Sequence, residues 1–310
     1  MFTQAQKEKF KGSGVLLMTP FNEDLSLDLT GFKRNVEYVL KNGMNASNGF
    51  LIANGSTGEC YAMNMEERKQ VIKAAVEAAD DKIPVIAGCN DTNVFNVIEL
   101  ANYSKSIGVD AVMIVQPYYL PYNPAQIYSF YEFINARVDI PIMLYNNPIV
   151  GSGSDMSVEL VHKLAKLSNV FALKETSENI KRFFHAEALT SELIVFAGSS
   201  CYEPFAALAK MSGFISFDSC FHPKLGIRTW EAIQKGDYQE AQKVHQEEFM
   251  MYDWWWSGGI NQAFGQVAYA KKALDLLGLA GGMMRPPMLP LNDEQTKALK
   301  ELMVKWGLLK

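Results

Sequence analysis

The sequence predicts an α/β chain: a closed (β/α)8 barrel, the TIM barrel architecture, with a C-terminal helical extension. Three observations carry this prediction. Eight apolar runs of strand length alternate with longer amphipathic segments. Their starts fall roughly 20 to 35 residues apart, about one βα unit each. The first run leads into Met18-Thr19-Pro20-Phe21, where an open doubly wound sheet usually carries a Gly-rich dinucleotide turn.

The strands are expected at Val15–Met18, Gly49–Ala53, Pro84–Gly88, Ala111–Gln116, Pro141–Tyr145, Val170–Lys174, Ile194–Gly198 and Gly213–Phe217. Such runs are apolar on both faces, as strands are in a parallel sheet covered by helices. Between them, apolar residues recur with helical spacing. Asp28–Lys41 places Leu29, Phe32, Val36 and Val39-Leu40 on one face, and Met65–Asp80 does the same with Val71, Ile72 and Ala75. Asn93–Ile107, Asn123–Ala136, Ser157–Leu167, Ile180–Ala188 and Tyr202–Lys210 complete the alternation. After the eighth strand the pattern becomes all helical: Lys224–Gln234, Tyr238–Trp256, Ile260–Leu277 and Asp293–Trp306. No Ser-, Gly- or Pro-rich linker divides the two parts. The expected organisation is one compact chain, with the barrel at 1–222 and the extension at 223–310 packed on it.

Composition narrows the function classes. The chain has 310 residues, 48% apolar and 20% charged, which is globular rather than disordered composition. A net charge of −5 gives no basic surface for nucleic acid or anionic membrane. No apolar run approaches the ~18 residues of a membrane span. The segment Met1–Lys11 is polar and lacks the apolar core of a signal peptide. Cys60, Cys89, Cys201 and Cys220 are scattered and read as reduced, buried thiols, so a cytoplasmic location is expected. His162, His185, His222 and His245 are scattered too, without HExxH spacing, so no metal centre is expected. Trp254-Trp255-Trp256 cannot share one helix face and reads as core or interface packing.

Barrels of this kind carry their chemistry at the C-terminal strand ends. Strand two ends in Asn54-Gly55-Ser56-Thr57-Gly58-Glu59. Its hydroxyls and backbone N–H groups suit a carboxylate or phosphate, or simply cap the next helix. Strand five ends in Tyr145-Asn146-Asn147-Pro148, where the phenol either relays a proton or packs at the rim. Strand six closes on Lys174. An amine at the mouth of an apolar barrel is partly desolvated, which favours its neutral, nucleophilic form. It can then form a Schiff base with a ketone. The alternative is a lysine paired with Glu175 or Glu59. Strand four leads into Gln116-Pro117-Tyr118-Tyr119, a possible second phenol or a pair of interface aromatics.

Together these motifs resemble the N-acetylneuraminate lyase / dihydrodipicolinate synthase family of pyruvate-dependent Schiff-base class I aldolases. The resemblance runs from Gly14-Val15 through Arg285-Pro286-Pro287. Gly55-Ser56-Thr57-Gly58-Glu59 matches the family's pyruvate-carboxylate turn, and Tyr145-Asn146-x-Pro148 its strand-five motif. Lys174 takes the Schiff-base position. Gly198 and Ile215 match positions near the pyruvyl group. The resemblance implies an imine on Lys174, Tyr145 as general acid/base, and the carboxylate held at Ser56 and Thr57. It further implies a relay through Ser56, Tyr145 and a Tyr119 inserted from a neighbouring subunit. It implies a small 2-oxo acid and an aldehyde as partners, no cofactor beyond the covalent imine, and a homo-oligomer, either a dimer or a tetramer of two tight dimers.

The second substrate is where the sequence departs from both best-known members. The synthase places an arginine two residues after the strand-five proline to bind the aldehyde's carboxylate. Val150 stands there, and an apolar side chain cannot pair a carboxylate. The sialic-acid lyase uses an Asp-Glu pair after strand seven and a serine on strand eight. Those positions read Ser200-Cys201 and Phe217, while Thr176 does match that lyase. The expected activity is therefore carbon–carbon cleavage or formation of a 2-keto-3-deoxy or sialic-acid-like acid. A synthase-type condensation, a dehydratase on the same imine, and a non-catalytic 2-oxo acid sensor are the alternatives.

Overall fold

A computed structural model describes residues 8–177, 192–198, 203–209, 211–254 and 265–310. Eight parallel strands close in sequence order into a barrel. They are β1 (Gly12–Leu16), β2 (Gly49–Ala53), β3 (Val85–Gly88), β4 (Ala111–Val115), β5 (Ile142–Asn146), β6 (Val170–Glu175), β7 (Ile194–Ala197) and β8 (Gly213–Ser216). Helices α1 (Leu29–Lys41), α2 (Met65–Ala79), α3 (Val94–Ser106), α4 (Pro124–Asn135), α5 (Val158–Leu164) and α6 (Glu203–Leu208) lie between strands. The segment Ile180–Ala188, expected as a helix, lies outside the described residues, as do Ser200, Cys201, Trp255 and Trp256.

Local chemistry sets the helix starts. Asp28 caps α1 by accepting from the Gly31 N–H. Asn64 with Glu67, and Asn123 with Gln126, form reciprocal capping boxes on α2 and α4. Each satisfies backbone donors that the first helical turn leaves unpaired.

The first strand begins at Gly12, three residues before the apolar pattern shows it. Gly14 pairs with Phe50 on β2 and Ile215 on β8, across the seam that closes the barrel. A Cβ there would stand 2.7 Å from the Phe50 ring and 2.8 Å from Ile215. The closure needs a strand residue without a side chain.

Alternation along the strands sorts the core into two clusters. Met113, Val115, Met143, Tyr145, Ala172, Phe196 and Ile215 belong to the one that fills the barrel. Val112, Ile114, Leu144, Leu173, Val195 and Phe214 belong to the other, beneath the helices. Lys174 lies two residues beyond Ala172 and so shares its inward face. A β-bulge refines this placement. Ile142 pairs with Val170, but Met143 pairs with Ala172, so Phe171 is the extra residue of β6. Beyond the bulge, Lys174 stands opposite Tyr145.

The C-terminal part comprises α7 (Pro223–Lys235), α8 (Tyr238–Trp254), α9 (Gly265–Leu276) and α10 (Asp293–Lys305). Val267, Ala270, Leu274, Leu299 and Met303 join the same apolar cluster as Val15 and Leu17 of the barrel. Helix α7 lies on the strands, where a Cβ on Gly226 would come 2.8 Å from the Ser13 hydroxyl of β1. It packs on β1 and on the turn that follows β8. We therefore propose that the barrel runs to Lys235 and that the extension begins with α8. Among the described residues no helix is long and apolar enough to cross a membrane.

Candidate active site

The C-terminal rim is stitched by buried amide side chains, each reaching to the next strand. Asn54, at the end of β2, donates to the Gly88 carbonyl on β3 at 2.6 Å. Asn90 accepts from the Val115 N–H of β4 at 2.8 Å. Gln116 accepts from the Asn147 N–H and donates to the Ser154 carbonyl, which fixes the loop after β5. Asn146 donates to both oxygens of Glu175 on β6 and to Asp155, and accepts from the Met156 N–H. Each amide is a polar residue closing an apolar run, and that was the one trace it left in the sequence.

Inside this ring Lys174 is 3% exposed. Its Nζ lies 4.1 Å from the centroid of the Tyr145 ring. Neither carboxylate expected to compete for it does so. Glu175 is bound to Asn146 and to the Ser177 N–H. Glu59 is paired with Lys271 of α9. Among the described residues Lys174 has no carboxylate partner. The paired-lysine alternative is thus answered by the geometry.

Tyr145 is 4% exposed, and its hydroxyl accepts from Asn147 Nδ2 at 2.7 Å. Asn147 Oδ1 in turn accepts from the N–H groups of Ile149 and Val150. Asn147 therefore fixes the Tyr145 hydroxyl and the backbone at Val150 together. Sequence reasoning passed over it, because its neighbours Tyr145 and Pro148 carried the motif.

At the end of β2, Ser56 and Thr57 are buried. Their backbone N–H groups and hydroxyls make no hydrogen bond among the described residues. Two adjacent unpaired amides with two hydroxyls form a concave donor surface for an anion. The turn is held from beneath by Thr19, whose hydroxyl donates to the Gly58 carbonyl at 2.7 Å. Its two glycines differ. A Cβ at Gly58 would sit 2.9 Å from the Leu17 carbonyl oxygen, whereas one at Gly55 meets nothing closer than 3.7 Å. Only Gly58 is sterically required for the turn.

Thr176 and Gly198 are brought together across β6 and β7. The Gly198 N–H donates to the Glu175 carbonyl at 2.6 Å, and Thr176 donates through its N–H to the Asn146 carbonyl. A side chain at Gly198 would collide with the Thr176 hydroxyl. Ile215 is buried in the barrel-filling cluster. Phe217 packs edge-on against Tyr269 of α9, with centroids 6.3 Å apart. Val150 is half-buried against the same cluster. Asp218 and Ser219 serve the loop itself, through Ser216 and Ser13 respectively.

Tyr119 was expected in the relay as a residue inserted from a neighbouring subunit. It is 82% exposed, sits at φ 85°, and makes no side-chain hydrogen bond to Ser56 or Tyr145. Its N–H donates to the Ser152 hydroxyl, tying the loop after β4 to the loop after β5. Within one protomer, then, the three hydroxyls do not form a chain. Its neighbour Tyr118 is the more buried phenol, with its pKa pushed up to about 12 by burial.

Three of the four thiols lie among the described residues. Cys60, Cys89 and Cys220 are free and buried, and burial raises the pKa of each, that of Cys89 to about 12. Among the described residues no three His, Cys, Asp or Glu side chains gather as metal ligands would.

The family model described as the dihydrodipicolinate synthetase family matches residues 9–305. The chain belongs to the dihydrodipicolinate synthetase family. It is 32% identical to a 4-hydroxy-tetrahydrodipicolinate synthase of Methanosarcina acetivorans, over 97% of this chain and 100% of that protein. It is also 32% identical to one of Bradyrhizobium diazoefficiens, over 98% and 99%. A solved dihydrodipicolinate synthase from Thermotoga maritima superposes with a TM-score of 0.87 at 29% identity, covering 97% of this chain and 100% of that one. A prophage family member from E. coli K12, solved in complex with pyruvate, gives 0.87 at 26%, covering 96% and 99%. As a dihydrodipicolinate synthetase family member, this protein is a lyase of the class I aldolase type. Its chemistry uses pyruvate through a Schiff base.

Proposed function

We propose that the protein is a pyruvate-dependent aldolase that cleaves or forms a 2-keto-3-deoxy acid through an imine on Lys174. The observation that carries this reading is the buried Lys174 amine, without a carboxylate partner among the described residues, opposite Tyr145. In the proposed cycle the Lys174 Nζ adds to the C2 carbonyl, and one water leaves as the C=N bond forms. The hydroxyl on C4 loses its proton toward Tyr145, and the C3–C4 bond breaks. Its electron pair flows to the iminium nitrogen, leaving an enamine, and the aldehyde departs. Protonation of the enamine at C3 and hydrolysis return pyruvate and the free amine. Asn147 holds the Tyr145 hydroxyl throughout. The unpaired amides and hydroxyls of Ser56 and Thr57 bind the substrate carboxylate. Thr176, Gly198 and Ile215 line the pyruvyl side, and Val150 and Phe217 the aldehyde side.

The half-buried Val150 and the buried Phe217 favour an aldehyde without a carboxylate. The names of the relatives favour a second reading, synthase-type condensation with a carboxylate-bearing aldehyde. Pyruvate release from a panel of 2-keto-3-deoxy acids separates the two. Release by the parent and none by Lys174→Ala is expected. Condensation of pyruvate with a carboxylate-bearing aldehyde, and no cleavage of any panel member, would transfer the assignment to the second reading. A homo-oligomer acting in the cytoplasm completes the proposal, with Tyr119 presented to a neighbouring subunit.

A further inference from the structure

The turn that carries Ser56 and Thr57 ends on Glu59, a residue with φ 59° and a fully buried side chain. A buried carboxylate at a left-handed position is doubly costly unless something holds it there. What holds it is Lys271 of α9, 212 residues on in sequence and 2% exposed, whose Nζ donates to Glu59 Oε1. The same ammonium donates to the Met283 carbonyl at 2.7 Å. It also lies 4.5 Å from the centroid of the Phe21 ring. The Arg285 guanidinium packs on Phe21 as well, at 4.1 Å. Arg285 then reaches the carbonyls of Ala62 and Leu25 and both oxygens of Glu67. The helical extension thus grips the carboxylate turn at Glu59 and the short helix just after it at Ala62.

We infer that Glu59 and Lys271 are a positioning pair, through which the C-terminal extension aims the Ser56 and Thr57 amides at the substrate carboxylate. The inference rests on the proposed carboxylate role of that turn. Neither residue touches the substrate; each acts through the backbone between Ser56 and Glu59. The Ser56 carbonyl accepts from the Glu59 N–H at 3.0 Å, so a shift of Glu59 is passed directly to the donor surface. The extension is then part of the binding site, and the pair discriminates ketones that carry a carboxylate from those that do not.

The test compares imine formation with pyruvate and with hydroxyacetone, a ketone of similar size lacking the carboxylate. Both adducts are trapped by borohydride and quantified by intact mass. In Lys271→Met the pyruvate concentration for half-maximal trapping is expected to rise about tenfold. Hydroxyacetone trapping should stay within twofold, as should kcat at saturating 2-oxo acid. Glu59→Gln keeps the shape and a hydrogen-bond acceptor but removes the charge, and is expected to give a smaller rise, about threefold. It serves as the test alone if Lys271→Met fails to fold. An unchanged half-saturation for pyruvate in the folded variants would overturn the inference. So would an equal loss with both ketones, which would mark a general disturbance of Lys174. A parent protein that traps neither ketone would instead remove the Schiff-base reading itself.

Discussion

Lys174, Tyr145 and Asn147 form the smallest unit that explains the chemistry. An amine held against a phenol ring, with no carboxylate partner among the described residues, is placed to add to a carbonyl. The phenol needs a fixed hydroxyl to move a proton, and the Asn147 amide supplies it. Asn147→Ala is therefore expected to lower kcat about tenfold or more, with a smaller change in KM, in a pyruvate-release assay. His222 provides a different residue-scale prediction. Burial lowers its pKa from 6.5 to about 4, partly countered by Glu247. The unfolded chain thus takes up this proton near pH 6.5, while the folded chain resists until about pH 4. Stability from this site is full above pH 6.5 and falls as pH drops toward 4, by about 3 kcal/mol at most. Replacing His222 with Asn should remove that part of the acid sensitivity, read as a flatter Tm profile between pH 7 and 4.5. An unchanged profile would assign the acid sensitivity elsewhere.

The elements matter here mainly through their ends. Lys174 was legible in the sequence because a lysine closing an apolar strand is anomalous. Its position opposite Tyr145 was not, because it depends on the bulge at Phe171, and a bulge leaves no apolar signature. The rim amides were equally hidden. Asn54, Asn90, Gln116 and Asn146 show only as polar residues closing apolar runs, and their partners appear once the strands stand side by side. Gln116→Leu would strand the Asn147 N–H and the Ser154 carbonyl, costing about 2–3 kcal/mol in urea unfolding. The β6–β7 contact is as demanding. A methyl group at Gly198 collides with Thr176, so Gly198→Ala should lose about 2 kcal/mol of stability. By contrast, Gly55→Ala has room for its methyl and should unfold within about 0.5 kcal/mol of the parent.

For the whole molecule, alternation of strand and helix made the barrel readable, because each βα unit announces itself locally. The joining of its two ends did not show. Lys271 and Glu59 stand 212 residues apart in sequence, and neither has a local pattern that names the other. The expected division at Pro223 followed a change of pattern, and α7, just beyond it, lies on β1. Assembly is the remaining large-scale question. Tyr119, Leu120 and Ile149 are large, apolar and exposed on two loops tied together by Ser152. Exposed apolar side chains grouped on tied loops suit a subunit contact. Sedimentation is expected to show an oligomer, and Ile149→Glu to shift it toward monomer with reduced activity.

The measurement that bears most directly on the account is borohydride trapping of the parent protein with pyruvate, followed by peptide mapping. The account predicts one reduced pyruvyl adduct per chain, located on Lys174 and absent from Lys174→Ala. A folded parent that gains no adduct, or gains it on another lysine, would contradict it.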